Sequence, residues 1–340
     1  MPTTELLPPS TETGKLQVMH LKRYWYKSIL KREGKLRPGS FPEEWKIDTT
    51  LLTVLRLGLE QVVVYLYREM PSFEEFENWI VEISGVPDAE KIGQFNQLFT
   101  GKKNTKNGSA RHYDLLTSDD IEFWDKNGYL IIREAVTRES CEEAIEALCN
   151  FIEIDRYDAS TWYNEHPARQ GIMVQFFQHP ALEQNRRAFK IRKAFEDLWN
   201  RRDIWVNTDR VGFNPPETNR HKFQGPRLHW DVSIKQPIPF GTQGILYLAD
   251  TAENQGAFTL VPGFHNIIGE WMGSLPPGTN PRNEDLYALG AKPIAANAGD
   301  LIIWHHALPH GSSSNTSSLP RFVQYLNYEP VDVKESDIWI

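Results

Sequence analysis

Apolar residues follow two different rhythms along this chain. Up to about residue 100 they recur at three- and four-residue spacing, the period of a helix. Val18, Leu21, Trp25 and Ile29 form one stripe over residues 15–34. Lys22, Arg23, Lys27, Lys31 and Arg32 lie largely elsewhere on the wheel. This basic amphipathic helix is read as packed on its own protein with its lysines in solvent, in preference to docking on an acidic surface or membrane. Residues 48–69 continue as one largely apolar helix. Residues 72–83 open with Ser-Phe-Glu-Glu, a capping-box pattern, and 88–100 add a short helix. None of these segments holds a cluster of chemically useful side chains.

The second rhythm is that of strands. Thr117-Ser118-Asp119-Asp120 caps a helix through Trp124, and Asn127-Gly128 turns the chain into Tyr129-Leu130-Ile131-Ile132. Thr137 starts a helix through Phe151, and another covers 185–200. Short strands are then expected over 204–213, 227–231, 244–249, 257–261, 299–304 and 321–328, with no helix between them. That succession points to an antiparallel sandwich or barrel. A Pro/Gly-rich loop at 273–283 reads as a rim or lid. The fold class is therefore mainly β with flanking helices, preceded by a helical N-terminal region. Residues 1–14 read as a disordered tail, 15–100 as the helical region, 101–111 as a flexible linker, and 112–340 as the second domain.

Composition narrows the class. The 340 residues are 40% hydrophobic and 24% charged, as in soluble globular proteins. A net charge of -8 argues against nucleic acid as the partner. Cys141 and Cys149 fall two turns apart on one predicted helix, too far for a disulfide. Reduced thiols suit a cytoplasmic location. The N-terminus lacks a signal-peptide core, and no run approaches the roughly 18 apolar residues of a membrane span.

The chemistry gathers in two stretches. In Leu228-His229-Trp230-Asp231, residues two apart on a strand share a face, so His229 and Asp231 can meet one cation. In 299–330, His310 sits before Gly311 and a run of serines, where the backbone must bend. Two imidazoles and one carboxylate make the facial triad of non-haem Fe(II) oxygenases, with positions left open for co-substrate and O2. His305 and His306 compete for the distal place, but only His310 has a turn beside it. Arg321, eleven residues on from His310, offers parallel N–H donors suited to a carboxylate, and Ser312 could add a hydroxyl.

These pieces belong to a longer series. It runs through Leu116-Thr117, Tyr129-Leu130-Ile131, the stretch WVNTDRVGFNP at 205–215, Leu228-His229-Trp230-Asp231, and Leu248-Ala249-Asp250-Thr251 with Gly256-Ala257-Phe258. Val261-Pro262-Gly263-Phe264-His265 follows, then HGSSSNTS at 310–317 and Arg321. In that order, residues 116–330 resemble the phytanoyl-CoA dioxygenase (PhyH-like) family of Fe(II)/2-oxoglutarate oxygenases. The resemblance implies a double-stranded β-helix, a cupin-like jelly roll. It implies Fe(II) on His229, Asp231 and His310, and 2-oxoglutarate on the iron with its far carboxylate on Arg321 and Ser312. Gln243 aligns with a co-substrate-contacting position. His265 belongs to the family's Pro-Gly-Ser-His turn and is read as structural; Phe264 replaces the serine, so its capping hydroxyl is absent. Halogenating relatives carry a small neutral residue where Asp231 stands, which disfavours halogenation here.

The implied activity is oxidation by O2, most simply hydroxylation of a small polar or natural-product molecule, with release of succinate and CO2. The same cofactors also support desaturation, demethylation and C–N cleavage. Arg210, Arg220, Lys222 and Arg227 hint at an anionic substrate, and Trp230 is a candidate pocket wall. No CoA-binding signature accompanies the family pattern. A non-catalytic metal-binding jelly-roll sensor and a zinc hydrolase remain as alternatives; Arg321 speaks against both. The N-terminal helices leave three roles open: covering the site, pairing two copies into a homodimer, or extending the core.

Overall fold

The computed structural model describes residues 7–37, 39–100, 113–333, 336 and 338–340. The linker expected at 101–111 and residues 1–6 of the expected tail lie outside them. The chain divides into two compact units, Met1–Ala110 with Trp205–Asp209, and Arg111–Ile204 with Arg210–Ile340.

The first unit contains α1 (Leu21–Arg32), α2 (Trp45–Val54), α3 (Leu59–Glu69), α4 (Phe73–Ser84) and α5 (Ala89–Asn96). Leu21, Leu51, Val62, Leu66, Phe76 and Ile80 are wholly buried in one cluster. The capping box is present: Ser72 Oγ accepts from Glu75 N, and Glu75 accepts from Ser72 N. Three expectations are corrected. The single helix over 48–69 is two helices, bent by 95°. Arg56 takes a left-handed φ of 56°, Gly58 starts α3 from an extended conformation, and Leu57 N bonds back to Leu52 O. Leu55 and Leu57, at the bend, are both buried in the same cluster. Residues 7–14 are not a free tail. Ser10 O accepts from His20 N and Pro8 O from Arg23 Nη1, while the Glu77 carboxylate accepts from the next amides, Lys15 and Leu16. Lys27 is not solvated: it is 1% exposed, with Nζ 2.8 Å from both Asp48 carboxylate oxygens and 2.5 Å from Glu44.

The second unit begins with α6 (Ser118–Asn127), β1 (Tyr129–Ile132), α7 (Arg138–Phe151), β2 (Arg169–Gln170), β3 (Met173–Val174), α8 (Pro180–Arg186) and α9 (Phe189–Trp199). Then come β4 (Ile204–Val206), whose last two residues are assigned to the first unit, β5 (Val211–Asn214), β6 (Thr242–Tyr247), β7 (Phe258–Leu260), α10 (Ile268–Ser274), β8 (Lys292–Pro293), β9 (Leu301–His305), β10 (His310–Ser312), β11 (Arg321–Tyr325) and β12 (Tyr328–Pro330). The helix expected over 185–200 is the pair α8 and α9, and the strand expected over 204–213 is the pair β4 and β5. Thr117 caps α6 as expected, and Gly128 ends it at φ 75°. A Cβ on Gly128 would stand 2.6 Å from His265 Nδ1, so both backbone and space require glycine there. Cys141 and Cys149 are free and buried in α7, and burial pushes their thiols to about 12 and about 11.

Seven strands pair antiparallel in the order β1-β9-β6-β11-β5-β3-β2, and three in the order β10-β7-β8. Ile245, Tyr247, Ile302, Trp304 and Val323 from the larger sheet share one buried cluster with Phe258 and Leu260 from the smaller. The core therefore lies between the two sheets, with helices flanking them. The strand expected over 227–231 is a single antiparallel bridge, His229 to His310.

Candidate metal centre

The bridge decides the site. His229 N donates to His310 O at 2.9 Å, and His310 N donates to His229 O at 3.0 Å. Residues far apart in sequence thus become direct neighbours, with ring centroids 4.9 Å apart. Gly311 permits the approach: a Cβ there would sit 3.0 Å from Arg227 O. Asp231, two residues along, points to the same side as His229.

Each imidazole is oriented from behind. His229 Nδ1 lies 2.7 Å from Arg227 O, and His310 Nδ1 lies 3.0 Å from Leu308 O. A carbonyl only accepts, so both Nδ1 atoms carry the proton and donate it, leaving Nε2 as a lone-pair ligand in the neutral ring. The two Nε2 atoms face Asp231 Oδ1 and Oδ2, each at 3.2 Å. One ligand atom from each residue falls within a 4.8 Å circle. Burial works to raise the Asp231 carboxyl, but hydrogen bonds and charge from the two imidazoles, once they are also protonated on Nε2, outweigh it and hold the group well below the usual carboxylate range. Burial works to lower His229, and Asp231 outweighs it upward. Three electron-pair donors converge and all favour a positive charge between them, which fits a divalent cation. His310 is buried, whereas the side chains of His229 and Asp231 are 36% and 50% exposed, so the cluster opens on one side.

Arg321 opens β11 and pairs in register with Asn214. It is wholly buried, and its Nη1 donates to Ser312 Oγ at 3.0 Å. Its Nε and Nη2 have no hydrogen-bond partner among the described residues. A buried guanidinium with two idle donors is costly unless an acid meets it. Ser312 lies two residues after His310 on β10, on the same face. The arrangement fits a carboxylate from outside the chain, bound close to the histidine–aspartate cluster.

The other sequence-derived candidates fall differently. His306 Nε2 is engaged with Pro239 O at 2.5 Å, and His305 Nδ1 accepts from Ala307 N. Neither joins the cluster. Trp230, expected against substrate, is 2% exposed; it packs on Phe264 and Trp271 and donates to Ala307 O. Alternation explains this, since His229 and Asp231 take one face and Trp230 must take the other. Arg227 is exposed and contributes its carbonyl to His229. Arg210 is half-buried, and its carbonyl accepts from Tyr325 N. Gln243 reaches Asp231, with Nε2 2.6 Å from Oδ2. A polar cavity of about 710 Å³ lies between residues 163–172 and 214–224, with Arg169, Lys222 and Glu217 on its wall. Asn214, the register partner of Arg321, is also part of that wall.

Two residues went unnoticed in the sequence. Trp304 donates its indole N–H to Gln243 Oε1 at 3.1 Å. Arg282, the lone charged residue of the 273–283 loop, donates to Trp230 O and Val232 O and so holds the backbone on both sides of Asp231. Its isolation in a Pro/Gly-rich loop was the signal that could have found it.

The Phytanoyl-CoA dioxygenase (PhyH) family model matches residues 124–323. A putative phytanoyl-CoA dioxygenase of Dictyostelium discoideum is 26% identical over 266 residues, covering 63% of this chain and 76% of its own. An ectoine dioxygenase of Bordetella bronchiseptica is 20% identical, over 72% of this chain and 86% of its own. Among solved structures, EctD from S. alaskensis with bound Fe is similar at a TM-score of 0.49 and 18% identity, over 67% of this chain and 82% of that one. HygX from Streptomyces hygroscopicus, with nickel and 2-oxoglutarate bound, is similar at 0.47 and 14%, over 65% and 89%. The protein is thus an enzyme of the non-haem iron, 2-oxoglutarate-dependent dioxygenase class, with iron, 2-oxoglutarate and O2 as its cofactors and co-substrates. Within that class the chain belongs to the phytanoyl-CoA dioxygenase (PhyH) family.

Proposed function

We propose that His229, Asp231 and His310 hold Fe(II), that Arg321 and Ser312 hold the far carboxylate of 2-oxoglutarate, and that the enzyme hydroxylates a small polar molecule. The two facing sheets with the core between them are read as a double-stranded β-helix. The observation that carries the reading is the pairing of two features in one interior: three converging ligands, and the buried Arg321 with Nε and Nη2 unpartnered.

Bound iron and 2-oxoglutarate supply O2 activation, in which one oxygen atom goes to succinate with loss of CO2 and the other goes to the substrate C–H bond. The chain's own residues bind and orient. Leu308 and Arg227 carbonyls fix the imidazole tautomers. Arg321 fixes the co-substrate by its charge and its planar donor pair. Phe258, Trp304 and Tyr247 exclude water behind the cluster. Arg169, Lys222 and Glu217 on the cavity wall, together with the exposed Arg227, support a polar substrate. Desaturation, demethylation or C–N cleavage would use the same residues.

The test is anaerobic addition of Fe(II) and 2-oxoglutarate to metal-free protein. A visible charge-transfer band is expected, absent in His310→Ala and weakened in Arg321→Met. Iron binding without that band would instead favour a metal sensor, and an absence of iron binding would discard the triad assignment.

A further inference from the structure

We propose that Gln243 is a positioning residue for the metal-ligating carboxylate of Asp231, oriented for that task by Trp304, and not a contact of the co-substrate. The inference rests on the reading of His229, Asp231 and His310 as metal ligands.

Gln243 on β6 and Trp304 on β9 are direct cross-strand partners in the larger sheet. The indole N–H is a donor with no acceptor capacity. It points at Gln243 Oε1 at 3.1 Å, so the amide can present only its NH2 group on the other side. That group lies 2.6 Å from Asp231 Oδ2, and an ionised carboxylate only accepts. Both neighbours demand the same amide orientation, so hydrogen bonding alone sets it. Trp304 is 3% exposed and packs against Phe258 at 4.3 Å and His310 at 5.0 Å, which holds the indole in place.

The relay also crosses the fold. Asp231 lies just beyond the His229–His310 bridge, which attaches its segment to the smaller sheet. The Gln243 amide ties that carboxylate to the larger sheet. Asp231 is the most exposed of the three ligand side chains, at 50%. It is therefore the ligand with the most rotamer freedom to lose, and one fixed oxygen removes much of that freedom before a metal arrives. Arg321, the co-substrate anchor, bonds to Ser312, whereas Gln243 bonds to Asp231 and Trp304.

The probe is Mn(II) alone, titrated into metal-free full-length protein and followed calorimetrically, with 2-oxoglutarate binding to the Mn(II)-loaded protein measured separately. Gln243→Leu should weaken Mn(II) binding by roughly 10- to 100-fold, the range found for partners that orient metal ligands. 2-Oxoglutarate affinity at saturating Mn(II) should change little. Trp304→Phe should weaken Mn(II) binding less, and its effect should vanish in the Gln243→Leu background, since the indole acts only through the amide. Gln243→Met, of similar volume, guards against a packing artefact and should match Gln243→Leu. The inference is overturned if Gln243→Leu keeps its Mn(II) affinity and loses 2-oxoglutarate, or if the two substitutions are additive. If His310→Ala also keeps full Mn(II) affinity, it is the metal assignment that fails.

Discussion

Two clusters in this protein contain a metal-like set of side chains, and they differ in whether the chain already supplies the cation. His229, Asp231 and His310 in the sheet-rich unit each bring a ligand atom within 4.8 Å of the others, and so do His20, Glu44 and Asp48 in the helical unit. In the helical cluster the positive charge is already covalently present. Lys27 Nζ touches both carboxylates, and Arg23 adds a forked contact to Glu44. His20 has no idle nitrogen, because Nδ1 meets Ser10 Oγ and Nε2 meets Asp48, both at 2.9 Å. In the sheet cluster both Nε2 atoms look inward, and Asp231 is ion-paired to no lysine or arginine among the described residues. Ligand types within reach do not make a metal site; what matters is whether the chain itself supplies the cation.

The comparison can be broken first at Lys27. Lys27→Met should cost about 3–5 kcal/mol, because it strands the buried Asp48 carboxylate and takes one of two cations from Glu44. Urea unfolding followed by helix content would measure this, and a loss near zero would mean water already solvates the network. His310→Ala should lower Mn(II) affinity by more than about 100-fold, beyond the range for loss of an orienting partner. His20→Ala should leave that affinity unchanged, and calorimetric titration of both variants separates the two clusters. Arg321→Met should weaken 2-oxoglutarate binding to Mn(II)-loaded protein roughly tenfold or more. Excess 2-oxoglutarate should then raise the melting temperature of the parent chain but not of this variant. Without ligand, Arg321→Met should be as stable as the parent or more so, since two idle buried donors are removed.

The smallest effect concerns acid. Burial, chiefly, pushes His305 down from 6.5 to about 3, with His306 and His265 adding to it. The unfolded chain therefore binds the extra proton first, and the stability of the neutral ring is full above pH 6.5 and lost as pH falls towards 3. His305→Gln should flatten the fall in melting temperature over that window. Some slope should persist, because burial lowers His265 as well. An unchanged profile would show that His305 stays neutral in neither state or is solvated in both.

Much of the site was legible because its logic is local. Alternation brings His229 and Asp231 to one face, and a turn glycine beside His310 marks it apart from His305 and His306. The same alternation condemned Trp230 as a pocket wall, although its aromatic character had suggested one. Caps at Ser72 and Thr117 were readable for the same reason, since a capping box is closed within four residues. Helix continuity was not. The bend between α2 and α3 depends on which faces of a largely apolar run find a partner, and periodicity is silent about that.

By itself, then, the sequence determined the residue types, the faces they share along each strand and helix, and the motif order that marks the family. The tertiary structure alone decided which distant segments became neighbours. It brought His310 opposite His229, set the Gln243 amide against Asp231, and left Arg321 buried with donors to spare. It also sank Lys27 among carboxylates where an exposed helix face was expected. The physical reason is common to all four. Spacing along a chain fixes local direction, but burial and hydrogen-bond partners are set by strand register and by packing between segments far apart in sequence.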